Sequence, residues 1–266
     1  MNDFKPIALV ALIYLCAMLA GLQTGEVLIN AIRVEKTVEP FIENPESLSA
    51  GVGVFAYIIA ATAIFLVLIK LGLKKLISFG VYLSLFAGVL ISTSTYLGGL
   101  SIIFSAILIL LFRFRRTLLV LNATLVLSVA GIGGILGSNL GFTPAILLLL
   151  LLAAYDIIAV FGTKHMVTLA KAAEEGIPLM ISIPASEGKN IGLGTGDLAI
   201  PITFCVSLIY SHGMATAAFT MLGGLVGLVS LFIFGMKRRG MVLPALPPIT
   251  LGLLIGFGIM WIFASL

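Results

Sequence analysis

Six stretches of this chain contain no Asp, Glu, Lys or Arg: residues 6–25, 47–69, 76–112, 117–155, 198–236 and 240–266. An α-helix rises about 1.5 Å per residue, so about 20 apolar residues cross a bilayer core about 30 Å thick. The longest stretches are long enough to cross twice. Backbone in lipid must satisfy its own hydrogen bonds, and for apolar runs of this length that means helices. Charged residues make up 10% of the chain, against about 25% in soluble domains. The expected fold is therefore all-α, a polytopic membrane protein forming one domain over residues 1–266.

Turn signals divide the runs into nine spans. The first two are about 6–30 and 48–70. The 76–112 run would be about 55 Å as one helix, too long for one crossing, and is expected to break near 92–99. The 117–162 run breaks at 137–144, where Gly-Ser-Asn-Leu-Gly-Phe-Thr-Pro closes one helix and opens the next. The 198–236 run breaks near 210–213, and the ninth span is about 243–264. Helices 1–6 then occupy about 6–162, a loop covers 163–195, and helices 7–9 occupy about 196–264. This division puts Lys5, Lys70, Lys74, Lys75, Arg113, Arg115, Arg116, Lys164, Lys171, Lys189, Lys237, Arg238 and Arg239 on one side, leaving Arg33 and Lys36 on the other. The positive-inside rule places the N-terminus in the cytoplasm and the C-terminus outside. The same clusters account for a sequence pI of about 9.1, so no nucleic-acid partner is expected. Lys5 is the sole basic residue before the first span, and no small-residue cleavage site follows, so that span reads as a retained helix.

Asp156 is the only charged residue between Thr117 and Gly162, and Asp197 follows Gly194-Thr195-Gly196 at the edge of the next run. An ionised, unpaired carboxylate at membrane depth costs about 2.5–3.5 kcal/mol even on lenient scales. Asp156 lies eight residues before Lys164, and Asp197 eight residues after Lys189. Both therefore fall about 12 Å from the same basic boundary, on consecutive helices. Two carboxyls at one depth can share a proton and titrate as a unit. Such a pair can activate water against a peptide carbonyl with no metal and no covalent intermediate. Taken singly, each acid has a plainer role: Asp197 as a helix N-cap, Asp156 as a coupling acid. Gly194 and Gly196 carry no side chain and would let a peptide backbone come close. A third motif, Pro244-Ala245-Leu246 followed by Pro247-Pro248, opens the last span at the same cytoplasmic level. Its prolines favour an extended approach and are also what a helix start tolerates.

Together these residues resemble the presenilin and signal-peptide-peptidase family of intramembrane aspartyl proteases. Tyr155-Asp156 on the sixth helix, Gly194-Thr195-Gly196-Asp197 (GxGD) on the seventh and Pro244-Ala245-Leu246 (PAL) on the ninth match that family in order and helix number. The resemblance implies Asp156 and Asp197 as the catalytic pair, with no metal and no cofactor. It implies Tyr155, Gly194, Thr195, Gly196, Pro244, Ala245 and Leu246 as support for the active site and substrate. The implied substrates are transmembrane segments of other proteins, cut within the lipid bilayer of the plasma membrane in its cytoplasmic half. The orientation resembles presenilin and not the inverted signal peptide peptidases. Two features depart from the family: Thr195 stands where leucine is common, and the 163–195 loop lacks the long hydrophilic insert of presenilins. Self-cleavage and a need for partner proteins are therefore not carried over. The brevity fits a small, self-sufficient, prokaryotic (archaeal-type) homologue, and the chain is compatible with a homo-oligomer.

Within the loop, Leu179-Met180-Ile181-Ser182-Ile183 is a β-prone run between Pro178 and Pro184. It is expected to pair as an edge strand with unwound substrate, or else to pack as an apolar loop on the membrane face. Cys16 and Cys205 lie mid-span as small packing residues, and His165 and His212 lie at helix ends as surface or cap residues. Gly133/Gly137, Gly223/Gly227 and Gly252/Gly256 predict close helix packing, and Glu26 snorkels or caps at the outer end of the first helix. Neither an HExxH zinc motif nor a GxSG serine motif occurs. The rival reading is a proton- or ion-coupled transporter or channel using Asp156 as its coupling acid. Against it, no internal repeat is visible and nine helices do not halve.

Overall fold

Two of the three apolar runs that exceed one bilayer crossing are broken at a glycine of positive φ. The computed structural model describes residues 4–115, 117–162, 178, 180–184, 190–236 and 244–264. Among these, seven helical segments are long and apolar enough to cross a membrane. Two of them, Lys74–Phe114 and Gly196–Gly235, are 41 and 40 residues long, about 60 Å each if straight. The first is interrupted at Gly98 (φ 51°, ψ −128°) and the second at Gly213 (φ 82°, ψ 164°). Side-chain-bearing residues rarely enter that region, so glycine is what permits each bend. Both breaks fall where the turn signals place them.

The helices are α1 (Phe4–Ile29), α2 (Leu48–Lys70), α3 (Lys74–Leu97), α4 (Ser101–Phe114), α5 (Leu118–Ser138), α6 (Phe142–Ile157), the bent α7 (Gly196–Met236) and α8 (Leu246–Ala264). Helix α5 is the central post. Its Gly131 lies against the Gly88 carbonyl of α3, Gly134 against Thr24 of α1, and Gly137 against Thr203 and Val206 of α7. A side chain at Gly131 or Gly137 would meet backbone of the neighbouring helix and push the two apart. In lipid that close approach is the main source of helix–helix attraction. The second arm of α7 and α8 pack the same way, Gly223 facing Gly252 and Gly227 meeting Pro248. The expected glycine pairs thus do serve packing.

Helices α2 and α4 turn mostly apolar, exposed faces outward, as lipid-facing helices do. α2 is hung on α6 at two points: Gly51 lies against the Pro144 backbone, and Phe55 meets the Tyr155 ring edge-on at 6.3 Å. Near the starts of α2 and α6, Arg33 bonds Glu46 (3.1 Å) and the Ser138 carbonyl (3.3 Å) and covers the Tyr210 ring at 4.8 Å.

One element departs from the all-α expectation. The β-prone run forms a strand, β1 (Met180–Pro184), but its partner is a second strand of the same chain, β2 (Asn190–Gly194). The two are antiparallel, in register from Met180↔Gly194 to Pro184↔Asn190. Ile181, Ile183 and Leu193 are buried in the core cluster, so the inner face of the ribbon is core and not loop.

Two smaller expectations change. Cys205 is buried as a packing residue, but Cys16 is exposed on the outer face of α1. His212 is not a surface cap: it packs edge-on between Phe142 (4.9 Å) and Phe257 (5.2 Å), with Ser211 Oγ 2.8 Å from Nδ1. Glu26 is exposed near the end of α1, as expected. Arg116, Lys164, His165, Lys171, Leu179, Lys189, Lys237, Arg238 and Arg239 lie outside the described residues.

Candidate active site

Asp156 sits on the last turn of α6, immediately before the helix widens into a π-helical turn, Ile158–Gly162. Only 4% of it is exposed. Buried carboxylates persist where donors meet them, and here the donors come from the PAL segment. The Leu246 N–H donates to Asp156 Oδ2 at 3.1 Å, and the Ala245 N–H faces the same carboxyl. Helix α8 begins at Leu246, so these are the unsatisfied N–H groups of a helix start. The remaining donors of the first turn are also accounted for: Pro247 and Pro248 have no N–H, and the Ile249 N–H donates to the Ala245 carbonyl at 3.4 Å. The proline cluster thus leaves the helix start with donors only where Asp156 takes them.

Asp197 is reached from the other side of the bundle. Strand β2 ends at Gly194, Thr195 follows, and α7 begins at Gly196. The Thr195 carbonyl accepts from the N–H groups of Leu198 (3.3 Å) and Ala199 (3.0 Å), which makes Thr195 the cap. Asp197 is therefore in the first helical turn and not the N-cap residue its sequence setting suggests. An anionic group there is favoured by the helix dipole. The Gly194 N–H faces its carboxyl, and a Cβ built on Gly194 would lie 2.8 Å from Asp197 Oδ2. A side chain at Gly194 would therefore displace the Asp197 carboxyl from this position. Gly196 differs, since a Cβ there would meet open space.

The fold brings the two acids together: the Asp156 and Asp197 carboxyls lie within electrostatic reach of each other. Of the other expected site residues, Ala245 and Leu246 touch Asp156 through backbone, Gly194 touches Asp197, and Tyr155 contacts α2 through Phe55. Pro244 and Thr195 are half-buried beside their acids, and Gly196 is exposed.

The ribbon edge differs from the expectation. Ile181 is 0% exposed and faces the core, and in the ladder it pairs with Leu193 of β2. The outer edge of β1 is taken by a residue that sequence reading passed over, Asn122 of α5. Its Nδ2 donates to the Ser182 carbonyl (2.7 Å), and the Ser182 N–H donates to its Oδ1 (3.0 Å). The available signal was a lone amide inside the apolar run of α5, a residue type that helices disfavour. Residues in an antiparallel pair point both backbone groups the same way. Ser182 turned toward Asn122 means that its partner Gly192 turns outward on the β2 edge. Gly194, two residues on, shares that edge, which leads to Asp197.

The chain was compared with known proteins. No curated protein matches it. Among solved structures, a presenilin family intramembrane aspartate protease in a C222 crystal form superposes with a TM-score of 0.72 at 24% identity, covering 97% of this chain and 99% of that one. A presenilin family intramembrane aspartate protease in a P2 crystal form gives 0.65 at 25% identity, covering 93% and 96%. The ion-coupled transporter has no support among these matches. Residues 10–266 match the model for signal-peptide peptidase and presenilin aspartyl protease, and the chain belongs to that family of intramembrane aspartyl proteases.

Proposed function

We propose that Asp156 and Asp197 are the catalytic pair of this protease and hydrolyse peptide bonds inside transmembrane segments of other proteins. One observation carries the reading: three sequence-distant motifs converge on a single pair of carboxyls. Two like charges in a low-dielectric site do not both ionise, so the pair holds one proton. The ionised member takes a proton from water as the water oxygen bonds to the peptide carbonyl carbon. The protonated member hydrogen-bonds the carbonyl oxygen and transfers its proton. Collapse of the resulting diol breaks the C–N bond, and the departing nitrogen takes a proton. Water is consumed; one carboxyl and one amine terminus form.

A transmembrane helix must unwind before its carbonyl is accessible, and the freed backbone needs new partners in an apolar setting. The outward backbone groups of Gly192 supply a strand-like partner beside Asp197. Tyr155, Thr195, Gly196 and Pro244 line the approach, with Gly196 open to a peptide backbone. The two long segments count as two crossings each, which gives nine spans. The basic residues then set the N-terminus in the cytoplasm, the C-terminus outside and the acids in the cytoplasmic half of the plasma membrane.

The test is cleavage of a single-span substrate in liposomes by wild type, Asp156→Asn and Asp197→Asn. Each substitution alone abolishes cleavage while the protein stays folded and monodisperse. Substantial activity in either one refutes the pair.

A further inference from the structure

Asn122 is the only Asn, Gln or charged residue within Leu118–Ser138. An amide in such a helix is disfavoured unless it finds partners. Both of its partners are the outward backbone groups of one residue, Ser182. The side-chain amide offers one donor and one acceptor, as a neighbouring strand's peptide would. It occupies the position of a third strand.

The ladder parity gives this contact its consequence. With Ser182 turned outward, the β1–β2 bonds run through Ile181 and Ile183, whose partners are Leu193 and Ile191. The outward residues of β2 are then Asn190, Gly192 and Gly194, and the Gly194 N–H faces the Asp197 carboxyl. On the β1 edge, whose outward residues are Met180, Ser182 and Pro184, the middle one is taken and the last has no N–H. Prolines and side-chain plugs of this kind close edges against strand addition. The β2 edge has no proline, and its middle residue, Gly192, carries no side chain. It carries glycines and ends at the acid. The plug also ties the ribbon to α5, the central post of the bundle, and the ribbon in turn carries Gly194 to Asp197.

We propose that Asn122 is a positioning residue for Asp197 and the selector of the substrate-accepting edge. By taking the outer N–H and C=O of Ser182 it locks the ribbon to α5, closes the middle of the β1 edge and so directs a substrate strand to Gly192 on the β2 edge. The proposal rests on Asp156 and Asp197 being the catalytic pair.

Asn122→Leu removes both bonds at similar volume. Ser182→Pro removes one of them from the other side, at a position whose N–H the ladder does not use. Each variant lowers kcat per folded molecule by about tenfold or more, with KM within about twofold, since neither residue touches substrate. Mass spectrometry of the products shows new cuts one or two residues from the wild-type bond. The double variant is no worse than Asn122→Leu, because both lesions break one clamp. A purely structural Asn122 would lower Tm but leave kcat per folded molecule and the product pattern as in wild type, and that result overturns the proposal. If Asn122→Leu does not fold, Ser182→Pro carries the same test with α5 intact. Asp156→Asn and Asp197→Asn are run alongside. Cleavage by these overturns the pair itself, whereas inactive aspartate variants with an unchanged Asn122→Leu pattern overturn only the role of Asn122.

Discussion

Asp156 and Asp197 face each other from unlike seats. Asp156 is 4% exposed and held by backbone 90 positions further along the chain, at the start of another helix. Asp197 is half-buried, in the first turn of its own helix, facing a glycine three residues back. The first seat exists only when α8 has docked, through Gly223, Gly227 and Gly252, against the second arm of α7. The second is built into the turn from strand to helix. One acid is positioned by the tertiary fold and the other by local chain geometry, and lesions in the two seats should differ accordingly.

The larger expected effect is at the remote seat. Leu246→Pro deletes the N–H that reaches Asp156 Oδ2, a bond to a charged or proton-sharing group. Such bonds are worth about 1.5–3 kcal/mol, so kcat/KM should fall about 10- to 100-fold in the cleavage assay. Leu246→Ala keeps the N–H and loses only side-chain packing. If both variants lose activity equally, the seat is made by the leucine side chain, and the contrast between the two acids fails.

At the local seat Gly194→Ala places a Cβ 2.8 Å from Asp197 Oδ2, so the carboxyl must turn away. It can turn, being half-buried, and a loss of about tenfold in kcat is expected, with Tm nearly unchanged. Gly196→Ala meets open space and should be milder. An equal loss there would mean that a substrate backbone lies on Gly196. Combining Gly194→Ala with Leu246→Pro sharpens the comparison further. Residues acting as a unit give non-additive losses, so the double variant should lose less than the product of the two.

The same contrast explains what the sequence disclosed. Asp156 was visible because a carboxylate in a long apolar run is costly. Asp197 and the PAL segment were visible because glycine and proline mark the chain where backbone must do something unusual. That the two long runs must break was foreseeable from bilayer thickness, and the turn signals placed the breaks near 92–99 and 210–213. Strand β2 was not. Asn190-Ile191-Gly192-Leu193-Gly194 has two glycines and too little β-branched content to announce a strand. It forms because β1 offers a ladder and its inward Leu193 reaches the core. Asn122 escaped for a similar reason. Its role is set by Ser182, 60 positions away, and a single amide has no period or spacing to read.

The smallest effect expected is at Thr195. The cap bonds from Leu198 and Ala199 end on its carbonyl, which any residue supplies. Thr195→Leu should therefore keep Asp197 in the first turn of α7 and keep cleavage within about threefold of wild type. The half-buried side chain lies between Gly194 and Gly196, on the path from the open β2 edge to the acid. A larger, apolar group there should change which residues are accepted next to the cut bond more than it changes rate. Competition between two single-span substrates that differ at those positions measures this. A collapse of activity on both would mean that the threonine side chain itself holds Asp197, and the local seat would then depend on more than backbone.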